Sequence, residues 1–434
     1  MNRPNILFIT CHDMGRHLGC YGRQTVVSPH LDALAAQGVR FANSFCTAPQ
    51  CSPSRAALHT GRHAHAVGVL GLVHNPFNWR LQPPSAHFAR RVKELGYHTA
   101  LFGAQHVTRE ALLPQLGYDH HGAEEAAPRL AQRVRAYLQT NSRRQPFYLE
   151  VDFTEPHRPY SWGGALPEKA LGVGLPPYIP DHPDSVAEFA GLQGAIRQMD
   201  EGVGIVLAAL NEAGLDENTL VLFTTDHGLA MPRAKCTLYD AGIETALLLR
   251  WPAGSAGGGR VFEELISHVD IVPTLLEALG LPATADEFHG RSFWPLLQGK
   301  GYEATETVFA EKTYHTAYEP MRAVRTATHK LILNFETGPR FDVPDDIRNG
   351  RIYPLMIDQA TGHRPPVELY DLERDPHEQD NLAGRPEVAH LEPSMLHSLR
   401  RWMQESDDPL LNGPPRSPFY MSTIALLAGE QVND

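Results

Sequence analysis

The sequence predicts an α/β protein: a large, mixed, mostly parallel sheet flanked by helices, followed by a smaller antiparallel subdomain. Three observations carry this prediction. Over roughly the first 280 residues short apolar runs alternate with stretches of helical period, the pattern of strands joined by crossover helices. Four of those runs lead into polar clusters, as strands do when their carboxyl ends line a ligand crevice. Beyond about residue 310 the pattern changes to apolar runs paired across a polar turn. A length of 434 residues suits one large domain with a smaller partner. The division is placed at residues 1–310 and 311–434.

Taken in order, strands are predicted at residues 5–10, 39–45, 99–102, 147–153, 220–224 and 246–250. Helices fall between them. One covers residues 29–37 and is closed by Gly38; another covers 85–95 and is closed by Gly96, with Phe88, Val92 and Leu95 on one face. A long helix is predicted over 185–213. In the smaller part, residues 322–324 and 330–335 read as paired strands, and a late helix lies near 390–405.

A formal charge of -12, without a run of Lys or Arg, argues against a nucleic-acid partner. The apolar run Ile6 to Ile9 is too short for a signal-peptide core, and no stretch approaches the roughly 20 apolar residues that span a bilayer. No membrane partner is expected. Five cysteines, Cys11, Cys20, Cys46, Cys51 and Cys236, lack the spacing of a disulfide framework or a zinc module. Together these features predict a cytoplasmic, reducing setting.

The polar clusters are Cys11-His12-Asp13, Gln105-His106, Glu155-Pro156-His157 and Asp226-His227. Asp13, Asp226 and His227, with His12, form a candidate site for one divalent cation. An all-oxygen site would favour Ca²⁺ or Mg²⁺, whereas the imidazoles admit Mn²⁺ or Zn²⁺.

The run Cys51-Ser52-Pro53-Ser54-Arg55 followed by Leu58-His59-Thr60-Gly61-Arg62 resembles the sulfatase signature. Pro53 suits the first turn of a helix, which puts residue 51 at an amino end where anions are favoured. The resemblance extends over nearly the whole chain. Asn5-Ile6-Leu7 with His12-Asp13 and Gly19-Cys20-Tyr21-Gly22 is similar to the family's opening strand and metal loop. Asp226-His227-Gly228, Lys235 and Tyr239-Asp240-Ala241-Gly242 look like its second metal loop and sulfate-binding lysine. Glu368-Leu369-Tyr370-Asp371-Leu372 resembles its carboxy-terminal module. His106-Val107, Pro156-His157-Arg158 and Pro320-Met321-Arg322 are most similar to the N-sulfoglucosamine sulfohydrolase group.

The resemblance implies an alkaline-phosphatase-like fold and the hydrolysis of a sulfate ester or sulfamate, with a sulfated sugar such as N-sulfated glucosamine as a candidate substrate. It implies oxidation of Cys51 to formylglycine by a formylglycine-generating enzyme and one divalent metal, Ca²⁺ by family likeness, with position 51 among the ligands. The formylglycine hydrate would attack sulfur with one hydroxyl and expel sulfate with the other. Arg55 would reach toward the nucleophile or a metal ligand, His106 and His157 would transfer protons or bind sulfate, and Lys235 would stabilise developing charge. An oligomeric assembly is admitted. The chain departs from the family twice: His12 stands where a second acid is usual, and Ala104 stands where Gly-Lys-x-His carries its lysine. Two rival readings share these residues, a phosphonate monoester or phosphodiester hydrolase of the same fold and a non-catalytic sulfated-sugar binder.

Overall fold

The computed structural model describes residues 3–141 and 146–428. Its larger sheet has nine strands: β1 (Asn5–Cys11), β2 (Val39–Phe45), β3 (His98–Gly103), β4 (His120–Gly122), β5 (Phe147–Phe153), β6 (Thr219–Thr225), β7 (Glu244–Thr245), β8 (Leu247–Arg250) and β9 (Arg260–Ser267). They lie in the order β4-β3-β5-β1-β6-β8-β2-β7, with β9 also paired to β2. The pairs among β4, β3, β5, β1 and β6 are parallel, and β8 runs antiparallel to both β6 and β2. The predicted mixed, mostly parallel sheet is therefore observed.

Alternation along β1 divides two cores. Leu7 and Ile9 pack on one face with Leu31 of α1 (Pro29–Gln37), and with helices α4 (Ala127–Asn141) and α5 (Pro183–Glu212). Ile6 and Phe8 pack on the other with Ala56 and Leu58 of α2 (Cys51–Thr60), with α3 (Phe88–Glu94), and with the helix Ile271–Ala278. β5 alternates likewise: Leu149 and Val151 join the first core, Tyr148 the second, so Glu150 and Asp152 are carried on the face toward α2. Both carboxylates are fully buried.

A second, antiparallel sheet follows in the order β10 (Val308–Tyr314), β11 (Tyr318–Arg325), β12 (His329–Asn334), β13 (Val367–Asp371). The expected strand pair is β11 with β12, in the register Val324 to Leu331. Helix Leu391–Glu405 covers this sheet through Met395, Leu399 and Trp402. Phe45, Tyr239 and Ile243 pack with Val308, Ala323 and Tyr370, which joins the sheet to the larger one.

Two expectations need correction. The helix predicted over 85–95 is broken at His87, whose backbone is extended (φ -65°, ψ 135°) and whose Nδ1 accepts the Ala89 N–H, starting α3 afresh. Strand β9 was missed because Glu263 and Glu264 interrupt its apolar run; it is a parallel partner of β2, with its exposed side chains on alternate positions at its start. Among the described residues no helix is long and apolar enough to cross a membrane.

Candidate active site

Strand register brings the polar clusters level. Cys11 at the end of β1 is paired with Phe153 of β5 and with Thr225 of β6, and Gly103 at the end of β3 is paired with Asp152. The residues that follow therefore leave the sheet side by side. Cys51 joins them as the first residue of α2, with Sγ 3.5 Å from His227 Nε2.

Asp226 organises the centre. Its Oδ1 accepts the backbone N–H of Asp13 at 2.9 Å and of His227 at 2.8 Å, while Oδ2 accepts Arg55 Nη2 at 3.3 Å. Asp13 sits at φ 55°, a left-handed conformation that aspartate tolerates better than most residues. The loop after Asp226 approaches so closely that a Cβ on Gly228 would stand 1.9 Å from the Ala241 carbonyl oxygen, so only glycine fits.

Protonation states follow from the hydrogen bonds. His227 Nδ1 lies 3.1 Å from the Gly228 carbonyl, so Nδ1–H donates there and Nε2 keeps a free lone pair. That lone pair faces Asp13 Oδ1 at 3.1 Å, and Asp13 Oδ1 has no hydrogen-bond partner. Two acceptors at this distance repel unless a cation or a proton lies between them. Ligand atoms from Asp13, Cys51, Asp226 and His227, all buried, lie within 4.8 Å of one another. This donor set fits one divalent cation. His12 groups instead with Cys51 and His106, its ring nitrogens 3.3 Å from Asp152 Oδ2 and 3.6 Å from Asp226 Oδ2.

Lys235 Nζ bridges Asp13 Oδ2 at 3.0 Å and Asp346 Oδ2 at 2.9 Å. Burial opposes the charges, but the carboxylates beside Lys235 hold its ammonium well above the usual range. Burial likewise pushes the Asp13 carboxyl up, and the positive charge around it, that of Lys235 foremost, outweighs burial and holds the group well below the usual carboxylate range. Burial drives the Cys51 thiol well up, so it is no thiolate nucleophile as it stands.

His157 and His106 flank the centre. The Nδ1 of His157 lies 2.6 Å from the Arg158 carbonyl and so carries a proton, while Nε2 faces Asp13 Oδ2 at 3.7 Å and Asp346 Oδ2 at 4.0 Å. The His106 ring lies 5.2 Å from that of His12, and its Nε2 is 3.7 Å from Glu124. Ala104 and His106 line a cavity of about 810 Å³ shared with His74, Arg109 and Glu124.

All nine sequence-predicted residues thus lie at one place, and two more join them. Asp152 accepts Arg55 Nη1 at 2.8 Å and the Thr10 hydroxyl at 2.8 Å. Its signal was present: acids at alternate positions, Glu150 and Asp152, in an otherwise apolar strand mark one face with a special partner. Asp346 arrives from the short helix Asp345–Arg348, in the connection between β12 and β13. Nothing in its local sequence marks it.

Comparisons with known proteins give the family. Residues 4–281 match the family model described as sulfatase, and residues 227–350 match one described as N-sulphoglucosamine sulphohydrolase, C-terminal. The chain is 30% identical to human N-sulphoglucosamine sulphohydrolase, over 95% of this chain and 92% of that protein. In fold it resembles a solved 2-O GAG sulfatase (TM-score 0.74, 23% identity, 96% and 94% of the two chains). It also resembles a phosphonate monoester hydrolase of Agrobacterium radiobacter (TM-score 0.72, 20% identity, 93% and 96%). The fold alone hosts both chemistries, but the sulfatase match spans most of the chain and includes the signature at Cys51: the chain belongs to the sulfatase family of hydrolases.

Proposed function

We propose that this sulfatase hydrolyses a sulfate ester or sulfamate on a sugar, with N-sulfated glucosamine the first substrate class to test. One observation carries the proposal: the side chain of Cys51, at the amino end of a buried helix, meets the Asp13–Asp226–His227 cluster. The likeness to human N-sulphoglucosamine sulphohydrolase supports the sugar class.

Asp13, Asp226, His227 and the position-51 side chain would hold one divalent cation. Family likeness favours Ca²⁺, and the His227 imidazole keeps Mn²⁺ and Zn²⁺ as competitors. When bound there, the cation would polarise a sulfate oxygen, and formylglycine hydrate at position 51 would supply the attacking hydroxyl. Arg55 fixes Asp226 and Asp152 with its planar fork and opposes the burial that pushes the Asp152 carboxyl up. Lys235 places a positive charge where the sulfate oxygens gather. His157 Nε2 is the group positioned to give a proton to the departing oxygen or nitrogen, and His106 binds from the cavity side. The five cysteines are free thiols, which supports a reducing, cytoplasmic setting.

The test has two readouts. After co-production with a formylglycine-generating enzyme, mass spectrometry of the Cys51 peptide should show the aldehyde or its hydrate. Matched aryl sulfate, sulfamate and aryl phosphonate assays should then rank the phosphonate last. A phosphonate ranked first would replace the proposal with the phosphonate hydrolase, and oxidised protein inert to all three would leave the sugar-binding reading.

A further inference from the structure

Two rungs of buried side chains join α2 to β5. Arg55 and Asp152 form the first, inside the candidate active site. One turn further along the helix and two residues back along the strand stand His59 and Glu150, with the His87 ring stacked on His59 at 4.8 Å between centroids. All three residues are at most 1% exposed. The proposed reaction uses none of them.

The Tyr118 and Tyr148 hydroxyls both donate to Glu150 Oε2, at 2.5 and 2.7 Å. Glu150 Oε1 lies 3.4 Å from His59 Nε2, yet neither atom has a hydrogen-bond partner among the described residues, nor do His59 Nδ1 and His87 Nε2. Polar atoms buried without partners carry an uncompensated desolvation cost, and several at one spot call for a shared partner. One ligand atom from each of the three residues lies within 4.8 Å of the others. Ligands about 2.0–2.1 Å from a tetrahedral ion stand about 3.3–3.5 Å apart, the separation seen between Glu150 Oε1 and His59 Nε2.

The geometry points to a second metal site, in which His59, His87 and Glu150 hold a structural Zn²⁺ behind the active site. Two imidazoles and one carboxylate suit zinc better than the oxygen-seeking Ca²⁺ or Mg²⁺. Burial lowers both histidines to about 3, so each stays in the neutral form that ligates. The His87 ring accepts the Ala89 N–H through Nδ1, which puts its proton on Nε2. Coordination through Nε2 turns the His87 ring out of its stack on His59, because the ion must lie in the plane of each ring that binds it, and moves that proton to Nδ1, so the ring stays neutral and the cap at the start of α3 is exchanged for the metal bond. A cation here ties α2 to β5 and α3 one turn from Arg55, which steadies the guanidinium that braces Asp226.

Zinc content after chelation, exposure to ZnCl₂ and desalting tests this against the catalytic cluster. In both the wild-type and Asp226→Ala backgrounds, Glu150→Gln should lower bound zinc by one ion per chain, because the loss is independent of the active site. Glutamine preserves volume and the two tyrosine hydroxyl contacts. As a measurement that needs no change at the site, zinc added to chelated Asp226→Ala protein should raise its Tm by several degrees. Equal zinc content with and without Glu150→Gln, or no zinc uptake by Asp226→Ala protein, would overturn the assignment and leave a buried hydrogen-bonded cluster.

Discussion

The active site has a deep half and an outer half that are built differently. Asp13, Asp226, Arg55 and Asp152 are fully buried and cross-linked by charge-assisted hydrogen bonds to strand ends and to α2. The side chains of His157, His106 and Asp346 keep 31%, 36% and 20% of their surface exposed and sit on loops and a one-turn helix. Deep groups cannot move without stranding a buried charge, so that half is preorganised for one chemistry. Outer groups meet solvent and can change with modest cost, which suits them to the variable part of a substrate.

Substitutions should separate the halves. The largest effect is expected in the deep half from Cys51→Ser, which lacks the second hydroxyl that expels sulfate. Steady turnover should fall at least about a thousandfold while a sulfated serine accumulates. Intact-protein mass spectrometry reads the adduct, and many turnovers at the wild-type rate would refute the formylglycine mechanism. Asp226→Ala should abolish catalytic metal binding and turnover and cost about 3–5 kcal/mol of stability by stranding Arg55 and two backbone N–H groups; calorimetry and elemental analysis check both.

In the outer half, Asp346→Asn removes one of the two carboxylates on Lys235 and should change kcat/KM about tenfold, by different factors for sulfamate and sulfate ester. A uniform loss as large as that of Asp226→Ala would erase the distinction between the halves. The fold beneath both has its own pH signature. Burial lowers His17, His87 and His268 to about 3 from an ordinary value of 6.5. Between those values the unfolded chain binds protons that the folded chain refuses, so stability is full above about pH 6.5 and is lost as pH falls toward 3. Thermal unfolding at pH 7.5 and 5 should show a lower Tm at pH 5 by several degrees. Smallest is Ala104→Lys, expected to raise kcat/KM for a sulfate ester a few-fold by returning a cation to the cavity wall beside His106; unchanged kinetics would mean that position 104 faces away from the anion.

Much of the deep half was legible because its residues belong to contiguous runs. Cys51 to Gly61, Asp226-His227 and the strands that deliver them are local patterns, and hydrophobic periodicity placed β1, β5 and β6 within a residue or two. Asp152 was legible in principle, as an acid on the inward face of an apolar strand, but nothing local names Arg55 as its partner. Asp346 was not legible, since it lies more than a hundred residues from Lys235 and in no recognisable pattern.

The sequence by itself determined the fold class, the sulfatase-like segment at Cys51 and most of the candidate cation ligands, because periodicity and short motifs are properties of neighbours along the chain. Only the tertiary structure decided which acids pair with Arg55, that His87 breaks a helix to stack on His59, and that the second sheet sends Asp346 to Lys235. Those outcomes depend on strand register and on the packing of distant elements, where a side chain's energy is set by partners the local sequence does not contain.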